Sequence, residues 1–220
     1  MDILNTPGLA ENIYQQALEV FFARKWGNRM LFSHDISHHR RVWNFARELL
    51  ISTENKSNPH SLDFYSKTLI ACYLHDLGMT VTTGVDHGLH SRNLAVEFLS
   101  ELNHDLSGWT DMLDAIEKHD NKEYASGTEE KNNILVILSA ADDMDAFGHT
   151  GIYRYLEIFI ERGVPPEKIA DEIRRSAANR FRNLESWFGK YPVLIEKHRK
   201  RYLILDDFFR EFGSEAGFSQ

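Results

Sequence analysis

Apolar residues recur along this chain at intervals of three and four, the period of an α-helix, and show no clean strand-type alternation. Leu9, Ile13, Ala17, Val20 and Phe21 mark a first amphipathic helix that ends near Trp26-Gly27. Ile36, Val42, Phe45, Ala46, Leu49 and Leu50 mark a second, which stops in the polar, breaker-rich run from Ser52 to Pro59. Ser61 is an N-cap candidate for a third, running through Leu69 and Ile70 to His75. The stretch from Met79 to Asp86 contains Thr82-Thr83-Gly84 and reads as a loop. Further helices are expected near Gly88–Leu102, Gly108–Lys118 and Asn133–Phe147. In the last of these, Ile134-Leu135-Val136-Ile137-Leu138 could pass for a strand, but Ser139-Ala140-Ala141 continues it as a helix. The tail holds three more helical patterns, Ile152–Arg162, Pro165–Phe188 and Pro192–Phe212. Pro165-Pro166 suits a first helical turn, where a missing N–H costs little. The expected fold class is all-α.

Composition narrows the setting. At 220 residues, with 42% hydrophobic and 26% charged side chains, the chain reads as one globular domain, or one with an extension. Its formal charge of −8 argues against a basic face for duplex nucleic acid. No apolar stretch reaches membrane-spanning length, and the N-terminus lacks the basic and apolar regions of a signal peptide. The single cysteine, Cys72, excludes an intrachain disulfide and a Cys-rich zinc site, so a reducing, cytoplasmic setting is the default expectation.

Against this background 11 histidines stand out, and five places set His beside Asp: 34-35, 75-76, 86-87, 104-105 and 119-120. His75-Asp76 is the most telling, because a whole turn of apolar residues precedes it. A buried carboxylate is costly unless it is paired or bound to metal. The pair therefore reads either as metal ligands or as a helix-end cap beside a satisfied core histidine. His38, with Arg41 one turn on, is a further candidate. His34 and His39 read as part of a polar stripe on a solvated helix face. Asp142 follows an apolar helical run, with Asp145 three residues on; a buried carboxylate and a solvated acidic edge are both open readings. His87 precedes an amphipathic helix and His119 ends one, and each alone reads as a surface histidine. His104 reads as a loop residue, and His60, His149 and His198 suggest no partner.

Taken together and in order, these pieces resemble the HD-domain superfamily of metal-dependent phosphohydrolases, and in particular its small stand-alone bacterial members. The matching segments are His34-Asp35-Ile36-Ser37-His38-His39-Arg40-Arg41-Val42, Leu74-His75-Asp76-Leu77, His87 with Ser91, Ile116-Glu117-Lys118-His119, and Ala141 to Gly148 with Gly151-Ile152-Tyr153-Arg154. The resemblance implies an HD core over residues 30–160, an N-terminal helix (1–29) packed on it and a C-terminal helical extension (161–220). It implies His38, His75, Asp76 and Asp142 as metal ligands. It also implies hydrolysis of a phosphate ester or anhydride in a small molecule, most plausibly a nucleotide. Cyclic-nucleotide or dinucleotide phosphodiesterase, a non-catalytic nucleotide-binding protein and a di-iron oxygenase are the alternatives within the superfamily.

Imidazole and carboxylate together suit Mn, Fe, Ni, Co or Zn better than Ca or Mg. Such an ion lowers the pKa of a bound water and polarises a phosphoryl oxygen. Arg41, Lys118, Lys122 and Arg154 are candidate phosphate contacts. His87, His90 and His119 are candidate proton donors to the leaving group. The resemblance also associates His87 and His119 with a second metal bridged by Asp76; one firmly held ion is the reading adopted at this point. The basic residue usual after the distal Asp is here Asp143, which adds negative charge. The Arg- and aromatic-rich C-terminal helices could cap the core, form a homodimer contact or close over the site, and monomer and homodimer both remain open.

Overall fold

The computed structural model describes residues 6–55, 57, 59–120 and 133–217. Among these there are nine α-helices and no β-strand: α1 (Thr6–Trp26), α2 (Ile36–Thr53), α3 (Leu62–Leu74), α4 (His87–Glu101), α5 (Thr110–Lys118), α6 (Ile134–Asp145), α7 (Gly148–Glu161), α8 (Pro166–Phe188) and α9 (Pro192–Glu215). The all-α expectation holds, and helix limits fall close to those read from the apolar pattern. No helix among the described residues is long and apolar enough to cross a membrane.

The chain divides into two compact units, 1–141 and 142–220, with the boundary inside α6. In the first unit α3 is the central element, packed by α1, α2, α4 and α5. This explains its composition. A helix touched on all sides is apolar all round, and every residue from Leu69 to Leu74 is buried. Local chemistry sets its ends. Ser61 Oγ accepts from the Phe64 N–H at 3.1 Å at the start. At the other end His75 is the C-cap and Asp76 leaves helical geometry, so this buried helix delivers the pair at its break. Asp35 caps α2 in the same way, accepting from the Ser37 and His38 N–H groups.

A short 3₁₀ turn, Leu77–Thr80, follows Asp76 and packs against α4. The contact is backbone on backbone. Gly78 N–H donates to Ser91 Oγ at 2.7 Å, and a Cβ on Gly78 would lie 2.0 Å from the His87 carbonyl oxygen. Gly88, one residue into α4, approaches α5 as closely: a Cβ there would lie 2.4 Å from the Glu117 carbonyl oxygen. These two glycines bring the start of α4, and thus His87, against the ends of α3 and α5.

In the second unit α8 and α9 pair along their length and α7 packs on both. Ala146, Tyr155, Ile169, Ile173, Ala177, Leu205 and Phe209 form its apolar core. Pro166 and Pro192 open α8 and α9 at first-turn positions.

Candidate metal centre

Asp76 is buried, and its two carboxylate oxygens face two different sets of imidazoles. On the Oδ2 side lie His75 Nε2 at 3.2 Å, His38 Nε2 at 3.5 Å and His34 Nε2 at 3.7 Å. On the Oδ1 side lie His119 Nε2 at 2.9 Å and His87 Nε2 at 3.4 Å. The Nε2 atoms of His38 and His75 are 3.3 Å apart, and those of His87 and His119 3.4 Å. All five rings are buried.

The opposite ring nitrogens decide which atoms these imidazoles present. His75 Nδ1 lies 3.0 Å from the Cys72 carbonyl, His87 Nδ1 2.9 Å from the Gly84 carbonyl and His119 Nδ1 2.7 Å from the Ile116 carbonyl. A carbonyl can only accept, so each Nδ1 carries the hydrogen and each neutral ring turns its Nε2 lone pair inward. Three lone pairs thus converge on a carboxylate that also only accepts. Acceptors this close need cations between them, either protons or a metal ion. Backbone carbonyls that fix the inward-facing nitrogen are the usual support of histidine ligands. The residues present therefore fit a divalent metal. Asp76, His87 and His119 form one ligand-spaced group, their donor atoms all within 4.8 Å of one another.

In the metal-free protein, protons take this place. Burial alone would raise the Asp76 pKa, but the facing imidazoles of His75, His119 and His38 outweigh it and hold the carboxyl well below its usual range. Burial alone would lower His87; the Asp76 carboxylate and the Gly84 carbonyl overcome it and push His87 up to about 9. A group whose folded pKa exceeds its unfolded value of 6.5 stabilises the fold fully below that value and loses this contribution as pH rises through the folded one. The melting temperature of the metal-free protein is therefore expected to fall between pH 6.5 and pH 9. Saturating Mn²⁺ should flatten that slope. Calorimetry with chelator and with metal checks this, and an equally flat profile in both would contradict it.

Two histidines missed as site residues are here. His34 and His39 were expected on a solvated face, yet both are buried. His34 stands in a 3₁₀ turn just before α2, its Nδ1 bonded to Ser33 Oγ at 2.9 Å. His39 is wedged behind the ligand candidates, its ring 4.7 Å from Phe22, 5.0 Å from His38 and 5.1 Å from His75. Its Nδ1 shares the Cys72 carbonyl with His75, at 3.1 Å. Burial, then the neighbouring His38 and His75, keeps its pKa well below the usual histidine range, so it is a neutral packing wedge. His87 and His119 are likewise not surface residues: both belong to the Asp76 cluster.

Asp142 lies on the last turn of α6, one turn beyond Ser139, whose hydroxyl donates to the His119 carbonyl at 3.2 Å. The solvated-edge alternative fails, because Asp142, Asp143 and Asp145 are all buried. Arg154 is buried too, with Nη1 donating to Asp145 Oδ2 at 3.0 Å and Nη2 3.6 Å from Asp142 Oδ1. Arg41 is half-buried and donates to Ser37 Oγ at 2.8 Å. Lys118 is exposed at the end of α5, and His90 is half-buried three residues into α4. Lys122 lies outside the described residues. His104 is in a connecting segment as expected, its ring tilted against those of Tyr14 and Trp109. His60 stacks on Phe64, and His198 Nδ1 meets the Arg201 guanidinium at 3.0 Å.

Comparison with known proteins bears on the fold and the family. Two solved structures share the fold across nearly the whole chain. One is a Lactobacillus plantarum protein, with a TM-score of 0.64 at 16% identity, covering 93% of this chain and 97% of that one. The other is a predicted HD superfamily hydrolase from an uncultured Thermotogales bacterium, with a TM-score of 0.55 at 22% identity, covering 92% of each chain. No match is found among curated proteins. The family model of the HD domain matches residues 35–146, which take in Asp76 with His38, His75, His87 and His119, begin just after His34 and run past Asp142. The chain belongs to the HD-domain family of metal-dependent phosphohydrolases.

Proposed function

We propose that the protein hydrolyses a phosphate ester or anhydride bond in a small molecule, of the nucleotide class, at a centre where Asp76 would serve two divalent ions. The observation that carries this reading is the division of imidazoles between the two oxygens of one buried carboxylate. A single ion would account for one side and leave the other inward-facing lone pairs to protons alone. In this reading His38, His75 and Asp76 would hold the first ion, with Asp142 the further ligand that the family resemblance implies. Asp76, His87 and His119 hold the second. Mn, Fe, Ni, Co and Zn suit this donor set, and Mg less so. The ions would supply a water activated at neutral pH and a polarised phosphoryl oxygen.

The chain's own residues would do the rest. The three carbonyl-anchored imidazoles keep their lone pairs fixed inward at no reorganisation cost during turnover. Asp76, itself buried, would supply the negative charge that draws the cations in. Arg41, held by Ser37, is the proposed contact for substrate phosphate, and Lys118 a second contact at the rim.

The test is a metal-dependent phosphatase, nucleotidase and cyclic-nucleotide screen on the wild type and on a His75→Ala/Asp76→Ala double variant. Turnover of a nucleotide by the wild type alone is expected. Equal turnover by both would end the proposal, and preference for a cyclic substrate would move the chain to the phosphodiesterase reading. Metal analysis of chelator-free protein should give two equivalents per chain, and one equivalent would restore the mononuclear version.

A further inference from the structure

Helix α6 ends in Asp142, Asp143 and Asp145. A helix C-terminus is the negative end of its dipole, so acidic side chains there are unfavourable, and burial makes them more so. Yet all three are buried. Two arginines from the following helices meet them. Arg154, on α7, is taken by Asp145 and reaches toward Asp142 Oδ1. Arg180, near the middle of α8, uses one nitrogen, Nη1, for two consecutive carboxylates: Asp142 Oδ2 at 3.2 Å and Asp143 Oδ1 at 2.5 Å.

Asp142 and Asp143 are adjacent in a helix, so their side chains leave the axis about 100° apart. One nitrogen shared between them fixes both orientations at once. If the only need were to neutralise Asp143, the bond to Asp143 would suffice, and Asp142 could turn. The shared bond instead anchors one oxygen of Asp142 while Arg154 flanks the other. We propose that Arg180 is a positioning residue for Asp142, holding its carboxylate in the single orientation a metal ligand needs, with Asp143 holding Arg180 in turn. The inference rests on the reading of Asp142 as a metal ligand. In this arrangement Asp143 is not an intruding negative charge; it recruits a guanidinium from a helix 37 residues away.

The test uses full-length protein and Mn²⁺ alone. Melting temperature is measured in chelator and Mn²⁺ affinity by calorimetric titration, for Arg180→Gln, Arg180→Lys, Asp143→Asn/Arg180→Gln and Asp142→Asn. Loss of an outer partner of a ligand weakens metal binding by about 10- to 100-fold, and Arg180→Gln should show a loss of that size together with a lower melting temperature. The double variant removes one charge of each sign, so it should recover the melting temperature but not the Mn²⁺ affinity. Recovery of both would overturn the proposal, since Arg180 would then only balance Asp143. If the double variant does not fold, Arg180→Lys decides. Its ammonium keeps the charge and loses the planar fork, so it should melt near wild type and bind Mn²⁺ several-fold more weakly. Binding as tight as wild type, or tighter, would overturn the proposal. Wild-type Mn²⁺ affinity in Asp142→Asn would instead sink the ligand assignment, a separate failure.

Discussion

Asp76→Ala protein is expected to purify without either ion and to lose hydrolase activity by about 10³-fold or more. The magnitude follows from metal-ion catalysis, which supplies several kcal/mol of transition-state stabilisation at tenfold per 1.4 kcal/mol. The distinguishing feature is how this variant compares with its neighbours. Asp76 faces His38 and His75 with one oxygen and His87 and His119 with the other. His119→Ala should therefore cost one metal equivalent, His38→Ala the other, and Asp76→Ala both. Elemental analysis of chelator-free preparations reads this directly, and circular dichroism separates metal loss from unfolding. The helices themselves should survive, because α3 is fixed by its buried run Leu69–Leu74 and by the Ser61 cap, neither of which involves the metal. An Asp76→Ala protein that keeps one full equivalent would show that the two sides do not share this carboxylate.

The same residues show what could be read from the chain and what could not. Helix limits were legible where their signals are local: Ser61 is the side-chain cap of α3, and Pro166 opens α8 at a first-turn position. His75-Asp76 was legible because a whole turn of apolar residues before it could only mean burial. His39 was not legible, because helical periodicity assigns one buried face, whereas α2 is packed by α1 on one side and α3 on the other. Its buried arc is wide enough for consecutive residues, so both His38 and His39 turn inward. His34 precedes α2 in a 3₁₀ turn, where counting back four residues along an α-helix does not apply. His87 and His119 carried no individual signal, since what unites them is the close approach of α4 to α5 at Gly88 and to the turn after Asp76 at Gly78. Arg180 had no signal at all, because its role depends on which helix packs beside the end of α6.

Gly78→Ala is expected to damage the centre without touching a ligand. The added Cβ would sit 2.0 Å from the His87 carbonyl oxygen and 2.5 Å from the Ser91 backbone nitrogen. Both are backbone atoms in the first turns of α4, so no side-chain rotation relieves the clash. The 3₁₀ turn after Asp76 and the start of α4 must separate by about 1 Å or more, and misplacement on that scale costs about 10²-fold in rate. The Gly78 N–H bond to Ser91 Oγ would be lengthened by the same movement. His87 is the first residue of α4, so its Nε2 withdraws from Asp76 Oδ1, while His38 and His75 on the other oxygen stay in place. The variant should retain one metal equivalent, lose the other, and lose activity. Overpacking of this kind costs about 1–3 kcal/mol, which for a chain of this length lowers the melting temperature by roughly 2–12 °C. Gly84→Ala is the matched control. Its Cβ meets only Thr82 Oγ1, at 3.3 Å, and the Gly84 carbonyl that anchors His87 Nδ1 is unchanged, so it should keep both equivalents. Metal content and melting temperature measured on the two variants side by side decide the matter. A Gly78→Ala protein with two equivalents and wild-type melting would show that the close approach of the turn to α4 does not set the position of His87.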